Sequence, residues 1–218
     1  MVIMGKSYKK NEIRDADKGV RYEVVPFKSK KEIEKIKQYL MGKQDKRDFA
    51  LFVIGINIGL RCQDLVLLKV SDVSSSRTNI YRTVQVIEQK TKKLRAFELN
   101  DVAVAALRVY LSSLPNYDEN SWLFPSRKSN VGEGHITVDA VRRIIKDFCR
   151  ELNIHGNYGA HSLRKTFGYW VYISGVQRNP LILVTLQKIF NHSSQTTTMR
   201  YIGIESSEIS NIYRNLNI

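Results

Sequence analysis

Residues 48–69, DFALFVIGINIGLRCQDLVLLK, decide how the chain is read. From Asp48 to Leu60 the residues are apolar almost all the way round a helix, so this segment belongs inside a core. The run stops at Gly59, and Arg61 stands at its margin, where an unpaired guanidinium is costly. Asp64, three residues on, offers two readings. One is a structural Arg61–Asp64 ion pair; the other is an oxyanion clamp in which Asp64 orients the arginine fork. Cys62 to Lys69 continues as a short helix, and Ser71–Asp72 closes the segment.

Helical periodicity extends to either side. Ser29–Met41 has an N-cap serine, Glu32 at capping-box spacing, and an apolar stripe of Ile33, Ile36 and Leu40. Its other face carries Lys31, Lys35 and Lys37, either simply solvated or facing a polyanion. Downstream the period changes to two. Ile80–Ile87 and Leu94–Leu99 read as strands of a hairpin turning through Gln89-Lys90-Thr91-Lys92-Lys93. Helices are then expected over Asp101–Leu114, Thr137–Leu152, Ala160–Ser174 and Leu181–Phe190, with Trp122–Pro125 extended. A last helix is expected over 205–216, with Ile209, Ile212, Tyr213 and Leu216 on one stripe. The fold class is mainly α with one small β-hairpin. Residues 1–27 read as a polar lead-in without a fold of its own, and residues 28–218 as one domain.

The chain has 218 residues, 35 Lys and Arg against 21 Asp and Glu, and a formal charge of +14. That surplus favours a polyanionic partner, because lysine and arginine gain by displacing counterions from phosphates. No stretch reaches the ~18–20 apolar residues of a membrane span, and the opening MVIMGKSYKK has no apolar run of the length expected of a signal peptide. Cys62 and Cys149 make no disulfide framework and lack metal-ligand spacing, so a reducing compartment is expected.

The residues with chemistry are scattered. His161 and Arg164, three apart on a helix, project together, with Gly168 and Tyr172 further along, while Leu163, Phe167 and Trp170 bury the other side. A proton-transfer group beside a fixed cation suits a reacting phosphate ester. Lys90 lies where a hairpin can deliver an ammonium into a groove, though a solvated turn explains it as well. His192 and Tyr201 share the segment NHSSQTTTMRY, residues 191–201. Two arginines, two histidines, a lysine and a tyrosine are the parts of a phosphoryl transfer through a covalent intermediate.

In this order the motifs resemble the catalytic domain of the tyrosine recombinases, the phage integrase family. Gly59-Leu60-Arg61-Cys62-Gln63-Asp64-Leu65 resembles the first arginine box, and Glu88-Gln89-Lys90-Thr91 the hairpin lysine. His161-Ser162-Leu163-Arg164 with Phe167 resembles the second box. Asn191-His192-Ser193-Ser194 with Thr196, Thr197 and Tyr201 resembles the third, Asn191 standing where the family often has glycine. The resemblance runs over roughly residues 28–205.

It implies a DNA recombinase or integrase that cleaves and rejoins strands. Arg61 and Arg164 would hold the scissile phosphate, and Tyr201 would attack it to form a 3′-phosphotyrosyl link. Lys90 would protonate the leaving 5′ oxygen, with Lys92 and Lys93 close enough to substitute. His161 would assist proton transfer at the tyrosine, and His192 would bond the phosphate. No metal and no cofactor would be required. The partner would be double-stranded DNA, bound by a homo-tetramer on synapsed duplexes and by a monomer or weak oligomer otherwise. The setting would be the cytoplasm of a bacterium, acting on chromosomal or mobile-element DNA. Family members commonly carry a further N-terminal helical domain, for which 27 polar residues are too few. A non-catalytic DNA-binding relative and a type IB topoisomerase-like enzyme are the alternatives.

Overall fold

Helix α1 (Lys30–Gly42) starts where the Ser29 hydroxyl accepts the Glu32 N–H at 3.2 Å, and it buries Ile33, Ile36 and Leu40. Helix α2 (Lys46–Ile58) is capped by Asp45 and is apolar on nearly every side because it runs through the middle of the core. The computed structural model describes residues 23–128 and 134–204. In it α2 packs against α5 (Asp101–Ser112) and α7 (Ala160–Gly175), while α1 lies against α2 and α6 (Val138–Glu151). Asn100 and Thr137 cap α5 and α6, as their positions ahead of the apolar stripes require.

Helix α2 ends at Gly59, whose φ of 62° is left-handed. A Cβ there would lie 2.3 Å from Phe167 Cδ1 of α7, so only glycine lets the chain turn this close to α7.

The expected single helix over Cys62–Lys69 is instead two one-turn helices, α3 (Cys62–Leu65) and α4 (Val70–Val73), separated by an extended Lys69. The backbone groups that would continue the helix are spent elsewhere. Leu68 C=O accepts from Leu123 N–H at 2.7 Å, Val70 N–H donates to Ser121 C=O at 3.0 Å, and the Asp72 carboxylate accepts the Lys69 N–H at 2.7 Å. The extended Trp122 stretch thus interrupts the helix from outside.

Strands β1 (Thr83–Ile87) and β2 (Leu94–Glu98) form the antiparallel hairpin, pairing Thr83 with Glu98 and Ile87 with Leu94. Ile80 is left out because it bridges Ser74. Asn191 closes α8 (Ile182–Phe190) in the left-handed conformation, φ 55°, doing what glycine does elsewhere.

The lead-in boundary at residue 28 is corrected. Phe27 is fully buried, stacks on Tyr158 at 4.2 Å, and its N–H donates to Thr166 Oγ1 at 2.8 Å. Residues 23–27 are therefore part of the fold: one aromatic side chain anchors a segment whose polarity suggested otherwise. The helix expected over 205–216 lies outside the described residues. A second, smaller apolar cluster joins α7, α8 and α9 (Gln195–Ile202) through Tyr172, Leu186, Phe190, Ile202 and Ile204. No helix among the described residues is long and apolar enough to cross a membrane. Cys62 and Cys149 are buried free thiols, pushed up to about 12 by burial.

Candidate active site

Arg164 is at the centre of the site. It sits on α7, 4% exposed, and faces the gap between the α2 turn and the α8 C-terminus. Its guanidinium donates to Gly59 C=O and, at 3.3 Å, to Phe190 C=O, with the Phe190 ring 4.6 Å from its central carbon. A helix C-terminus and a terminated turn supply partial negative charge, which holds the cation where no carboxylate among the described residues pairs with it. Burial pulls this guanidinium down to about 10, with Arg95 and Arg61 adding to the effect and Tyr201 and Glu88 opposing it. It stays charged at neutral pH.

Arg61 does not pair with Asp64. Its backbone is extended, ψ 144°, at the N-cap of α3, so the three-residue spacing does not bring the two side chains face to face. Arg61 Nη1 instead lies 2.8 Å from Glu88 Oε2, while Arg95 Nη1 is 3.2 Å from the other carboxylate oxygen. The Arg61 contact is one of charge, since Nη1 makes no aligned hydrogen bond among the described residues. Asp64 Oδ1 accepts the Gln89 N–H at 2.8 Å and so fixes the base of the hairpin turn. Burial alone would raise the Glu88 carboxyl, but Thr91, Arg61 and Arg95 outweigh it and hold the group below the usual glutamate range.

Tyr201 lies near the end of α9, which is capped by Ser194 and held by the buried Thr198. The Thr-rich stretch is thus a packed short helix. Its ring packs edge-on against Phe190 at 5.3 Å and His192 at 5.0 Å. On another side Lys165 Nζ stands 4.9 Å from its centroid. Burial raises the phenol above its ordinary value, with Arg164 and Arg61 working against that rise. His192 Nδ1 is 3.1 Å from Thr198 Oγ1, leaving the other ring nitrogen for a further partner. Burial, then Arg164 and Arg61, lower its pKa.

His161 is exposed at the start of α7, lowered by partial burial of its ring, Lys165 and Arg164. Lys90 is at the exposed apex of the turn, with Gln89 tied to Asp64 and Thr91 Oγ1 donating to Glu88 at 2.8 Å. Its ammonium makes no hydrogen bond or ion pair among the described residues. Lys92 holds the left-handed position of the turn, φ 54°, and its ammonium donates to Gln89 Oε1 at 3.3 Å. The fold therefore gathers Arg61, Arg164, His192 and Tyr201, sets His161 one turn away, and leaves Lys90 on a hairpin reaching out beside them.

Sequence reasoning missed Glu88, Arg95 and Lys165. Glu88 opens the turn and Arg95 alternates along β2, so each looks like ordinary strand polarity; only hairpin docking brings them to Arg61. An excess of guanidinium over carboxylate, a buried phenol and two imidazoles held neutral near pH 7 can bind an oxyanion and present a nucleophile to it.

The model of the phage integrase family matches residues 27–208. The chain belongs to the phage integrase family. The probable integrase/recombinase YoeC of Bacillus subtilis (strain 168) is 36% identical over 191 residues, 88% of this chain and 96% of YoeC. The tyrosine recombinase XerC of Caldanaerobacter subterraneus subsp. tengcongensis is 27% identical over 181 residues, 82% of this chain but 47% of that protein. The integrase fold is shared with a solved XerA recombinase at a TM-score of 0.66 and 23% identity, over 88% of this chain and 65% of that one. The Tn1549 transposon integrase (residues 82–397, R225K) bound to a circular intermediate DNA superposes at 0.61 and 19% identity, over 93% and 69%. The chain thus spans nearly all of YoeC and about half of XerC.

Proposed function

We propose that this integrase-family chain cleaves and rejoins DNA strands through a covalent 3′-phosphotyrosyl intermediate on Tyr201. The observation behind this reading is that Arg164 and Tyr201 share the Phe190 ring, at 4.6 and 5.3 Å from its centroid, with the His192 ring 5.0 Å from Tyr201. The Tyr201 oxygen attacks phosphorus and the bond from phosphorus to the 5′ oxygen breaks. That oxygen keeps the electron pair and takes a proton from Lys90, at the exposed tip a DNA groove would cover. The phenol proton passes to His161, neutral at pH 7. Tyr201 needs such a base because burial keeps its phenol protonated.

Arg61 and Arg164 neutralise the non-bridging oxygens, and His192, protonated once the phosphate charge stands beside it, donates to one of them through Nε2. Donors set in advance around developing charge supply catalysis without reorganisation; losing one typically costs ~2.7–4 kcal/mol of barrier. The arginines provide the positive charge that a metal ion supplies in other phosphoryl transferases, so activity without metal is part of the proposal. The bond energy is kept in the phosphotyrosine and needs no cofactor. Rejoining two duplexes asks for a homo-tetramer on DNA, working in a bacterial cytoplasm. The domain itself would begin with the segment ahead of α1. Relatives bound to DNA support a duplex partner: a XerH site-specific recombinase has been solved with its difH substrate.

A nicked suicide substrate tests the reading. Wild type becomes linked to DNA in EDTA, through Tyr201 by peptide mapping, and Tyr201→Phe does not. A wild type that binds its site and never forms the adduct would overturn it.

A further inference from the structure

The segment Glu23–Lys28 crosses α7 and reaches the nucleophile helix. Val25 N–H donates to Asn157 C=O at 2.9 Å, Phe27 is bonded to Thr166, and the Trp170 indole donates to Phe27 C=O at 2.9 Å. Lys28 Nζ donates at 2.5 Å to Gly203 C=O, just past α9. At the other end of the segment Glu23 Oε1 meets Lys165 Nζ at 2.5 Å. Lys165 is 4% exposed and its ammonium also packs against the Tyr201 ring. A lysine this buried is rare without a partner, and its partners here are one carboxylate and one aromatic face.

We propose that Lys165 is a positioning residue for Tyr201 and that Glu23, carried in by the N-terminal strap, is a brake on it. The lysine holds the phenol ring on one face and favours the charge that the oxygen develops as it loses its proton. Glu23 spends part of that positive charge on an ion pair. Its side chain is 61% exposed against 5% for Lys165, so Glu23 can leave and the lysine cannot. Whatever draws the strap away from α7 releases the full charge of Lys165 to the phenol. Among the described residues, the charged or titratable groups around the ring include Arg164 on α7, Arg61 ahead of α3 and His192 ahead of α9, with His161 one turn along α7 from Lys165. Arg61 and Arg164 are held by Glu88 and by backbone carbonyls, which leaves Lys165 as the cation whose pairing the strap controls.

This inference rests on the nucleophile role of Tyr201, and its test separates the two. The phenol titration is followed by NMR of the full chain labelled at tyrosine Cζ, the Tyr201 signal being the one missing in Tyr201→Phe. Glu23→Gln moves the midpoint down by about one pH unit, the scale of one nearby charge. Lys165→Met moves it up, and Lys165→Arg restores it. Single-turnover adduct formation on the suicide substrate shifts along pH in the same directions. If Glu23→Gln and Lys165→Met only lower the melting temperature and leave the titration in place, the pair is structural and the proposal is wrong. Titrations that shift in a protein forming no adduct would remove the recombinase reading and leave the electrostatic coupling standing.

Discussion

Replacing Glu88 by glutamine keeps the shape of the carboxylate and removes its charge. Glu88 is 7% exposed and stands between Arg61 and Arg95, with Arg164 drawn down by both of those arginines. Breaking a buried pair typically costs ~3–5 kcal/mol because a charge is left without its partner. Arg61 and Arg95 retain 19% and 14% side-chain exposure, so water recovers part of that. Thr91 can still bond the amide. We therefore expect Glu88→Gln to lose about 2–3 kcal/mol at pH 7, which lowers the melting temperature by roughly 5–10 °C in a domain of this size. The sign with pH follows from the direction of the shift. The folded carboxyl titrates below the unfolded one, so the unfolded chain takes up the proton first as pH falls. The contribution of Glu88 is complete above the ordinary glutamate value of about 4.3 and disappears as pH falls through the folded value. Urea denaturation of both proteins at pH 7 and pH 3 gives the difference directly: a gap at pH 7 that narrows in acid. Sulfate, which can occupy the position of a phosphate, should restore more stability to the variant than to wild type. A gap of less than about 0.5 kcal/mol at pH 7, or one that persists in acid, would refute the claim that this carboxylate holds the arginines.

Two further outcomes follow from the same geometry. A Cβ on Gly168 would lie 2.6 Å from both Ile202 Cγ2 and Phe190 Cζ, so Gly168→Ala must push α9 or α8 away from α7. It should cost ~1–3 kcal/mol and slow adduct formation by roughly tenfold to a hundredfold through a displaced Tyr201; unchanged stability and rate would show that the contact gives freely. His161 and His192 titrate below the ordinary imidazole range, so the unfolded chain protonates first and stability falls as pH drops below about 6.5. The urea midpoint should be lower at pH 5.5 than at pH 7.5, and this slope should flatten when both histidines are changed to glutamine; an unaltered slope in the double variant would mean that other groups set it.

The sequence alone determined most of the longer helices and the motif order, because both are local. Ser29, Asn100 and Thr137 cap the helices they precede, and Asn191 makes the left-handed turn that its place after Phe190 implies. The period change over residues 80–99 located the hairpin, and Arg61, Lys90, His161, Arg164, His192 and Tyr201 could be picked out from short patterns. Tertiary structure decided which of these meet and what holds them. A helix break at Lys69 depends on hydrogen bonds from Leu123 and Ser121, more than fifty residues away, which no window around Lys69 contains. Spacing offered Asp64 as the partner of Arg61. The true partner is Glu88 of the hairpin, because the extended backbone at Arg61 turns the guanidinium out of the helical register. Phe27 entered the core for a related reason: polarity averaged over a segment cannot register one aromatic ring that the fold seats against Tyr158. Local pattern names the side chains that can do chemistry, and only packing over long sequence separation decides which charges offset one another around Tyr201.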